Sequence, residues 1–326
     1  MRVLIVKLSS LGDVVHTMPA VQDIRAAFPG AQIDWAVEPA FAPLVRRVDG
    51  IGEVIDCPLR RWRNAWWTKS VRAEWAKLRT RLQSVRYDAV IDMQGLTKSA
   101  WIARTAQGPS HGLANQTEGS SHEWPAAWLV NHAIKVEPHI HAMDRARVLA
   151  SKALGFALHG PPRYGLRAAR PTARPERPTA AFVHGTSRDD KLWPQAHWIS
   201  LGKRLIGAGW RIALPHGSEA EQTRAEMIAA ALQFDRTNLV EVWPGLKLDA
   251  VADRLAATQG VIGVDSGLSH MAVALNLPHV QIYNFPTAWR TGPQVAHGNR
   301  DQICVEGQGV PGLEAVWSAW TKVVDL

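Results

Sequence analysis

The chain has 326 residues, enough at roughly 150 per domain for two domains with separate cores. Apolar residues make up 46% and charged residues 20%, which excludes the low-hydropathy, highly charged composition of a disordered chain. A net charge of +8 favours an anionic partner, whether nucleic acid, a phosphorylated small molecule or an acidic membrane. Cys57 and Cys304 lie far apart without C-x-x-C spacing. Neither a disulfide framework nor a cysteine zinc site is therefore expected, and a reducing cytoplasm fits. The apolar run at residues 3–6 is short and no run is long enough to span a bilayer, so neither export nor a transmembrane helix is expected.

Residues 2–6 (RVLIV) form a β-branched run ended by Ser9, Ser10 and Gly12. Val14, Met18, Val21, Ile24 and Phe28 then recur at helical spacing, so the order is strand, loop, helix. Residues 32–37 and 88–93 read as further strands, the latter preceded by a polar helix over 71–84. Between 156 and 180, Pro161, Pro162, Pro171, Pro175 and Pro178 are interspersed with arginines. A linker at 159–178 is expected there, separating a domain of 1–158 from one of 179–326. A second alternating series follows, with strands at TAAFVHG, RIALPHG, LVEVW and HVQIYNF, helices over 194–207, 219–232 and 248–258, and GVIGVDSGLSHMAVALN as a strand running into a helix. The expected fold is α/β: two doubly wound, Rossmann-like domains whose strand ends face a central cleft, with the C-terminal helix free to return to the first domain.

The first strand-to-helix turn, residues 7–13, lacks G-x-G-x-x-G, and no P-loop occurs anywhere. Asp13 is the one acid in that turn; it suits a general base at the strand tip and, equally, a helix-capping carboxylate. Gly263-Val264-Asp265-Ser266-Gly267-Leu268-Ser269-His270 leaves an apolar strand and opens a helix, placing free N–H groups, hydroxyls and an imidazole where an anion can bind. A simple helix cap is the plainer alternative. The loop from His184 to Pro194 carries Lys191, which could neutralise a diphosphate or sit in a solvated charged loop. RRWRNAWWTK at 60–69 interleaves cations with three tryptophans expected to be exposed, a composition found at membrane interfaces and on single-stranded nucleic-acid platforms. His139, His141 and Asp144 lack further ligands, and surface or capping histidines are the better reading.

Residues 7–13 followed by HTMPAV, IDMQGLTKSA, SRDDKLWP and VDSGLSHMAVAL together resemble the lipopolysaccharide heptosyltransferases. RRWRNAWW and HAMDRAR are similar more narrowly to the heptosyltransferase I branch. The resemblance spans nearly the whole chain and implies a GT-B fold with the acceptor on the first domain and the nucleotide sugar on the second. It also implies inverting, metal-independent transfer of L-glycero-D-manno-heptose from ADP-heptose to the inner Kdo of Kdo2-lipid A, at the cytoplasmic face of the inner membrane. By position it makes Asp13 the base and Ser10, Gly12, Arg60, Arg61, Arg63, Gln94 and Lys98 acceptor contacts. Thr186, Ser187, Lys191, Glu221, Asp265, Ser266, Gly267, Leu268 and His270 become donor contacts. No cofactor or metal is implied. The stretch 113–124 contains no Arg or Lys where relatives tend to be basic, and Asp-Ser replaces the commoner Asp-Thr in the donor turn. Two rivals are a transferase acting on an already heptosylated acceptor, as in heptosyltransferase II, and a nucleic-acid-binding protein using the Arg/Trp loop, whose affinity would fall steeply with salt.

Overall fold

The computed structural model describes residues 1–172, 175–233, 238–294 and 301–324. The chain divides into two compact units, Met1–Leu166 and Arg167–Leu326. The Pro/Arg-rich stretch at 159–178 is thus shared between them, and the Asp49 N–H donates to Gly165 O at 2.8 Å within the first unit.

In the first unit, β1 (Arg2–Val6), β2 (Gln32–Val37), β3 (Ile51–Asp56), β4 (Ala89–Asp92), β5 (Ser110–Leu113) and β6 (His132–Ile134) form one sheet in the order β3-β2-β1-β4-β5-β6. Every pairing is parallel. A central parallel strand is covered on both faces, so β1 reads as a continuous apolar run and buries Val3, Leu4, Ile5 and Val6 fully. Ile5 registers with Trp35 on one side and Ile91 on the other. The sequence pattern missed β3, β5 and β6: β5 and β6 are only four and three residues long, and in β3 Gly52 and Glu53 interrupt the apolar run of Ile51, Val54 and Ile55.

The second unit repeats the plan. Strands β7 (Thr179–Val183), β8 (Arg211–Leu214), β9 (Val240–Val242), β10 (Gly260–Val264), β11 (His279–Tyr283) and β12 (Gln302–Glu306) run in the order β12-β11-β10-β7-β8-β9, again all parallel. Phe182, Trp193, Trp198 and Trp320 are fully buried in its core. The last helix, Leu313–Val323, contributes Val316, Ala319 and Trp320 to this core, a place the sequence pattern had not given it.

In each sheet the chain starts in the middle, winds to one edge, then returns to the middle and winds to the other. The reversal falls between β1 and β4 in the first unit and between β7 and β10 in the second. At such a switch point the loops leaving adjacent strands diverge and open a crevice at the carboxyl ends, where ligands of open α/β sheets bind. No helix among the described residues is long and apolar enough to cross a membrane.

Candidate active site

Asp13 stands at the first switch point, in the first turn of the Leu11–Ala27 helix. Its Oδ2 accepts from the Ser10 N–H at 3.2 Å and the Ser10 hydroxyl at 2.9 Å, so it does act as a cap. Its Oδ1 faces Lys7 Nζ at 3.4 Å and Arg145 at 3.7 Å. Burial works against ionisation, but the Lys7 and Arg145 charges and the two bonds from Ser10 outweigh it and lower the Asp13 carboxyl to about 2. Lys7 is itself buried and donates to Met93 O at 3.2 Å; burial lowers its pKa and the Asp13 charge opposes the drop. The capping and charged-base readings of Asp13 are therefore compatible, since one oxygen caps while the other faces two cations.

The loop after β4 supports this turn from the other side of the switch point. Gln94 Oε1 accepts from the Leu8 and Ser9 N–H groups at 2.8 and 3.3 Å, so its carboxamide oxygen is engaged in holding the β1 turn. Asp92 Oδ1 accepts from the Gln94 and Gly95 N–H groups at 3.0 and 3.3 Å. Its burial raises its carboxyl to about 6 despite those bonds, a bond from Ser99 and the nearby Lys7 charge. Lys98 lies exposed on the Thr97–Thr105 helix. Lys7, Asp92 and Arg145 were missed as site residues. Lys7 was in the quoted turn and Arg145 in the quoted HAMDRAR segment, but nothing along the chain showed that Arg145, on the Ala142–Leu154 helix, would reach Asp13; it also donates to Thr117 Oγ1 at 2.9 Å. The cation-free stretch 113–124 thus acquires a cation from elsewhere in the fold.

The Arg/Trp loop follows β3. Trp62 is buried, donates through Nε1 to Glu74 Oε2 at 2.8 Å and packs edge-on to Trp75, so the expectation of three exposed tryptophans is corrected: only Trp66 and Trp67 are exposed. The reason lies on the following helix, Lys69–Gln83, whose Glu74 also pairs with Arg61. The Arg60 N–H donates to Glu38 Oε1 at 2.9 Å while its guanidinium lies over the Phe41 ring. Arg63 is exposed. His141 caps the helix that carries Arg145, accepting from the Met143 N–H, and His139 pairs with Glu118. Neither belongs to a metal-ligand cluster among the described residues.

The second switch point gathers the other predicted residues. Asp265, at the end of β10, pairs with Lys191 Nζ at 2.5 Å and with His270 Nε2 at 3.4 Å. Burial opposes its charge, but His270 and Lys191 hold its carboxyl well below the usual carboxylate range. Lys191 ends a short 3₁₀ turn that Asn284 fixes by donating to the Asp190 and Leu192 carbonyls at 2.9 and 3.0 Å. Asn284 follows β11, and no local signal in the sequence marked it. Thr186, after β7, donates to Asp265 O at 3.0 Å; Ser187 beside it is exposed, and Leu268 is half-buried. Ser266 caps the Gly267–Ala274 helix by position, and its hydroxyl has no hydrogen-bond partner among the described residues. Ser269, expected to add a second hydroxyl, is instead buried and donates to Val264 O at 2.6 Å. Gly263 permits that bond, because a Cβ there would meet the Ser269 Oγ at 2.3 Å.

Glu221 lies in the first turn after β8 and accepts from the Gly217 N–H at 2.6 Å. Gly185, just after β7, lets the Glu221 carboxyl approach closely, since a Cβ would sit 2.5 Å from it and the Glu221 side chain would have to move. Three adjacent strands, β10, β7 and β8, thus deliver a lysine, an uncommitted hydroxyl at a helix N-terminus and a carboxylate to one end of the sheet. That set suits an anion next to a polyol: the cation and N–H groups take negative charge, and the carboxylate accepts hydroxyl protons.

The profile of Glycosyltransferase family 9 (heptosyltransferase) matches residues 75–311. Lipopolysaccharide heptosyltransferase 1 of Escherichia coli (strain K12) is 40% identical over 310 residues, covering 93% of this chain and 93% of that protein. The solved structure of E. coli heptosyltransferase WaaC with ADP superposes with a TM-score of 0.85 at 36% identity, over 98% of both chains. The same enzyme with ADP-2-deoxy-2-fluoro heptose gives a TM-score of 0.82 at 36% identity, also over 98% of both chains. Matches of that extent run through both units and both switch points, and this chain belongs to glycosyltransferase family 9, the heptosyltransferases, as an enzyme of GT-B architecture.

Proposed function

We propose that the enzyme transfers L-glycero-D-manno-heptose from ADP-heptose to the inner Kdo of Kdo2-lipid A, with inversion at the anomeric carbon. The observation that carries this reading is the Asp13 carboxylate, kept ionised by Lys7 and Arg145 at the switch point of the first sheet. Inversion requires one base on the acceptor side, and Asp13 is assigned that proton. A carboxylate of such low pKa is a weak base for a sugar hydroxyl, so proton transfer comes late, once the attacking oxygen is bonding to carbon.

On the donor side, Lys191 and the N–H groups opening the Gly267–Ala274 helix take the charge that grows on ADP as the glycosidic bond breaks. Ser266 and His270 sit at the same helix end, Thr186, Ser187 and Leu268 border it, and Glu221 is assigned the ribose hydroxyls. Since this set supplies the leaving-group stabilisation itself, the reaction is assigned no metal. Arg60, Arg61, Arg63 and Lys98 are assigned the acidic groups of the acceptor, with Ser10, Gly12 and Gln94 shaping the turn it meets. Association with the cytoplasmic face of the inner membrane follows from the lipid on that acceptor and from the exposed Trp66 and Trp67.

The nucleic-acid reading loses support from the burial of Trp62 and the pairing of Arg61 with Glu74, which dismantle the continuous Arg/Trp platform that it needs. The test is ADP release from ADP-heptose with Kdo2-lipid A, with its monoheptosylated product, or with neither. Release only with Kdo2-lipid A is expected. Preference for the monoheptosylated acceptor would move the enzyme to the heptosyltransferase II reaction, and release with neither would set the proposal aside.

A further inference from the structure

The fifteen tryptophans are not distributed evenly between core and surface. In the second unit Trp193, Trp198, Trp210, Trp243 and Trp320 are buried, whereas all exposed tryptophans among the described residues belong to the first. Two of these are in the loop after β3. The other three, Trp101, Trp124 and Trp128, are exposed at 54, 62 and 76%, and none of them has been given a role in the transfer. A large aromatic side chain gains most of its stabilisation by leaving water, so three left out in one neighbourhood point to an interaction surface.

The neighbourhood is defined by packing. The Thr97–Thr105 helix and the Trp124–Leu129 helix meet through Ala100, Ala126 and Val130. This contact leaves Trp101 outward on one helix and Trp124 and Trp128, edge-to-face at 4.1 Å, outward on the other. Residues three apart share a helix face, so Trp101 is flanked by Lys98 and Arg104, both exposed. The neighbouring acid, Glu123, is turned to the Thr97 N–H, which donates to it at 2.8 Å. The surface is therefore aromatic with a cationic edge. It also continues the acceptor side of the unit, because Arg60 and Lys98 both lower the pKa of the same carboxylate, Glu38, against the dominant effect of its burial.

We propose that Trp101, Trp124 and Trp128, with Arg104, form a second bilayer-docking surface that seats the first unit on an anionic lipid leaflet. Tryptophan partitions to the headgroup boundary, where its ring is apolar and its N–H stays wet, and Arg or Lys beside it adds attraction to acidic headgroups. The inference rests on the reading that the acceptor is presented in a membrane, but it places the contact on residues outside the acceptor loop.

The experiment measures sedimentation of the full-length protein with phosphatidylethanolamine/phosphatidylglycerol vesicles and with phosphatidylcholine vesicles, without donor or acceptor. The wild type is compared with Trp101→Ala/Trp124→Ala/Trp128→Ala and with Arg104→Glu. The triple variant should lose about tenfold or more of its partition onto the acidic vesicles, and Arg104→Glu should lose binding to acidic vesicles selectively. Calorimetric ADP binding and turnover of a deacylated, water-soluble acceptor should match the wild type. Equal partition of wild type and triple variant overturns the proposal. So does a wild-type dimer that the triple variant converts to monomer without any vesicle binding. Because partition is read without the reaction, failure of the transfer reading would show as missing ADP release and leave this measurement intact.

Discussion

Lys191 Nζ lies 2.5 Å from Asp265 Oδ2, an ion pair that joins the loop after β7 to the end of β10 across the switch point of the second sheet. Lys191 therefore has two duties: it neutralises a buried carboxylate and stands at the helix end assigned to the diphosphate. Lys191→Ala should lower kcat/KM for ADP-heptose by about 10²–10³-fold and weaken ADP binding, since the diphosphate gains charge in the transition state. Adding Asp265→Asn separates the duties. If Lys191 served only to compensate Asp265, the double variant would recover activity; steady-state kinetics with varied donor should show that it does not.

Asp13→Asn keeps an oxygen that can cap Ser10 but removes the charge that faces Lys7 and Arg145 and the site that takes a proton. Turnover should fall about 10²–10⁴-fold while calorimetric ADP affinity stays unchanged. The lowered pKa of Asp13 also fixes a sign. Its native contacts favour the charged form, so the stability they contribute is complete above the ordinary value of 3.8 and disappears as pH falls toward about 2. Acid titration of the wild type should show this loss, and the variant should lack it. A folded Asp13→Asn enzyme with near-wild-type turnover would leave Asp13 as a helix cap only.

Asp92 has the opposite sign. Burial raises its carboxyl from 3.8 to about 6, so the fold favours the protonated form and stability declines as pH rises through that window. Thermal denaturation at pH 4 to 8 should show a decline that Asp92→Asn flattens. Because Asp92 carries the loop that holds Leu8 and Ser9 through Gln94, kcat/KM in the wild type is expected to fall together with stability as pH rises through about 6, and the same variant should reduce that fall. Asp13, ionised far below that range, should not contribute to it.

Trp62→Ala removes a buried ring and the donor to Glu74, and should cost about 3–5 kcal/mol of stability. Trp66→Ala and Trp67→Ala, at exposed positions, should each change it by less than about 0.5 kcal/mol. Urea denaturation distinguishes the two classes. Comparable losses at all three positions would mean that Trp66 and Trp67 are packed as well.

Replacing Arg60, Arg61 and Arg63 together by Ala should raise the acceptor KM about tenfold or more, by removing charge-assisted contacts, and leave the donor KM nearly unchanged. The wild-type acceptor KM should also rise with ionic strength, as expected of exposed cations. An unaltered acceptor KM would make the loop a solvated surface whose Arg61 serves only to hold Glu74.

The chain by itself determined the alternation of strands and helices and the position of each motif at a strand end. These are local properties: β1 and β10 are continuous apolar runs, and the Ser/Gly turns that end them break the pattern within a few residues. From that, two doubly wound halves and the places of Asp13, Lys191 and Asp265 could be read directly. The pairing of Lys191 with Asp265 was within reach because both were expected at strand ends of one sheet.

Tertiary structure alone decided what surrounds those residues. Arg145 reaches Asp13 from a helix at the far end of the unit's sequence, and Asp92 and Gln94 arrive from β4, so the charge state of Asp13 depends on strand order as much as on its own turn. The same holds for the Arg/Trp loop, where identical composition gave a buried Trp62 and exposed Trp66 and Trp67, because only Trp62 meets Glu74 and Trp75 of the following helix. Desolvation, ion pairing and hydrogen bonding act through space, and a pattern of spacing along the chain does not encode them.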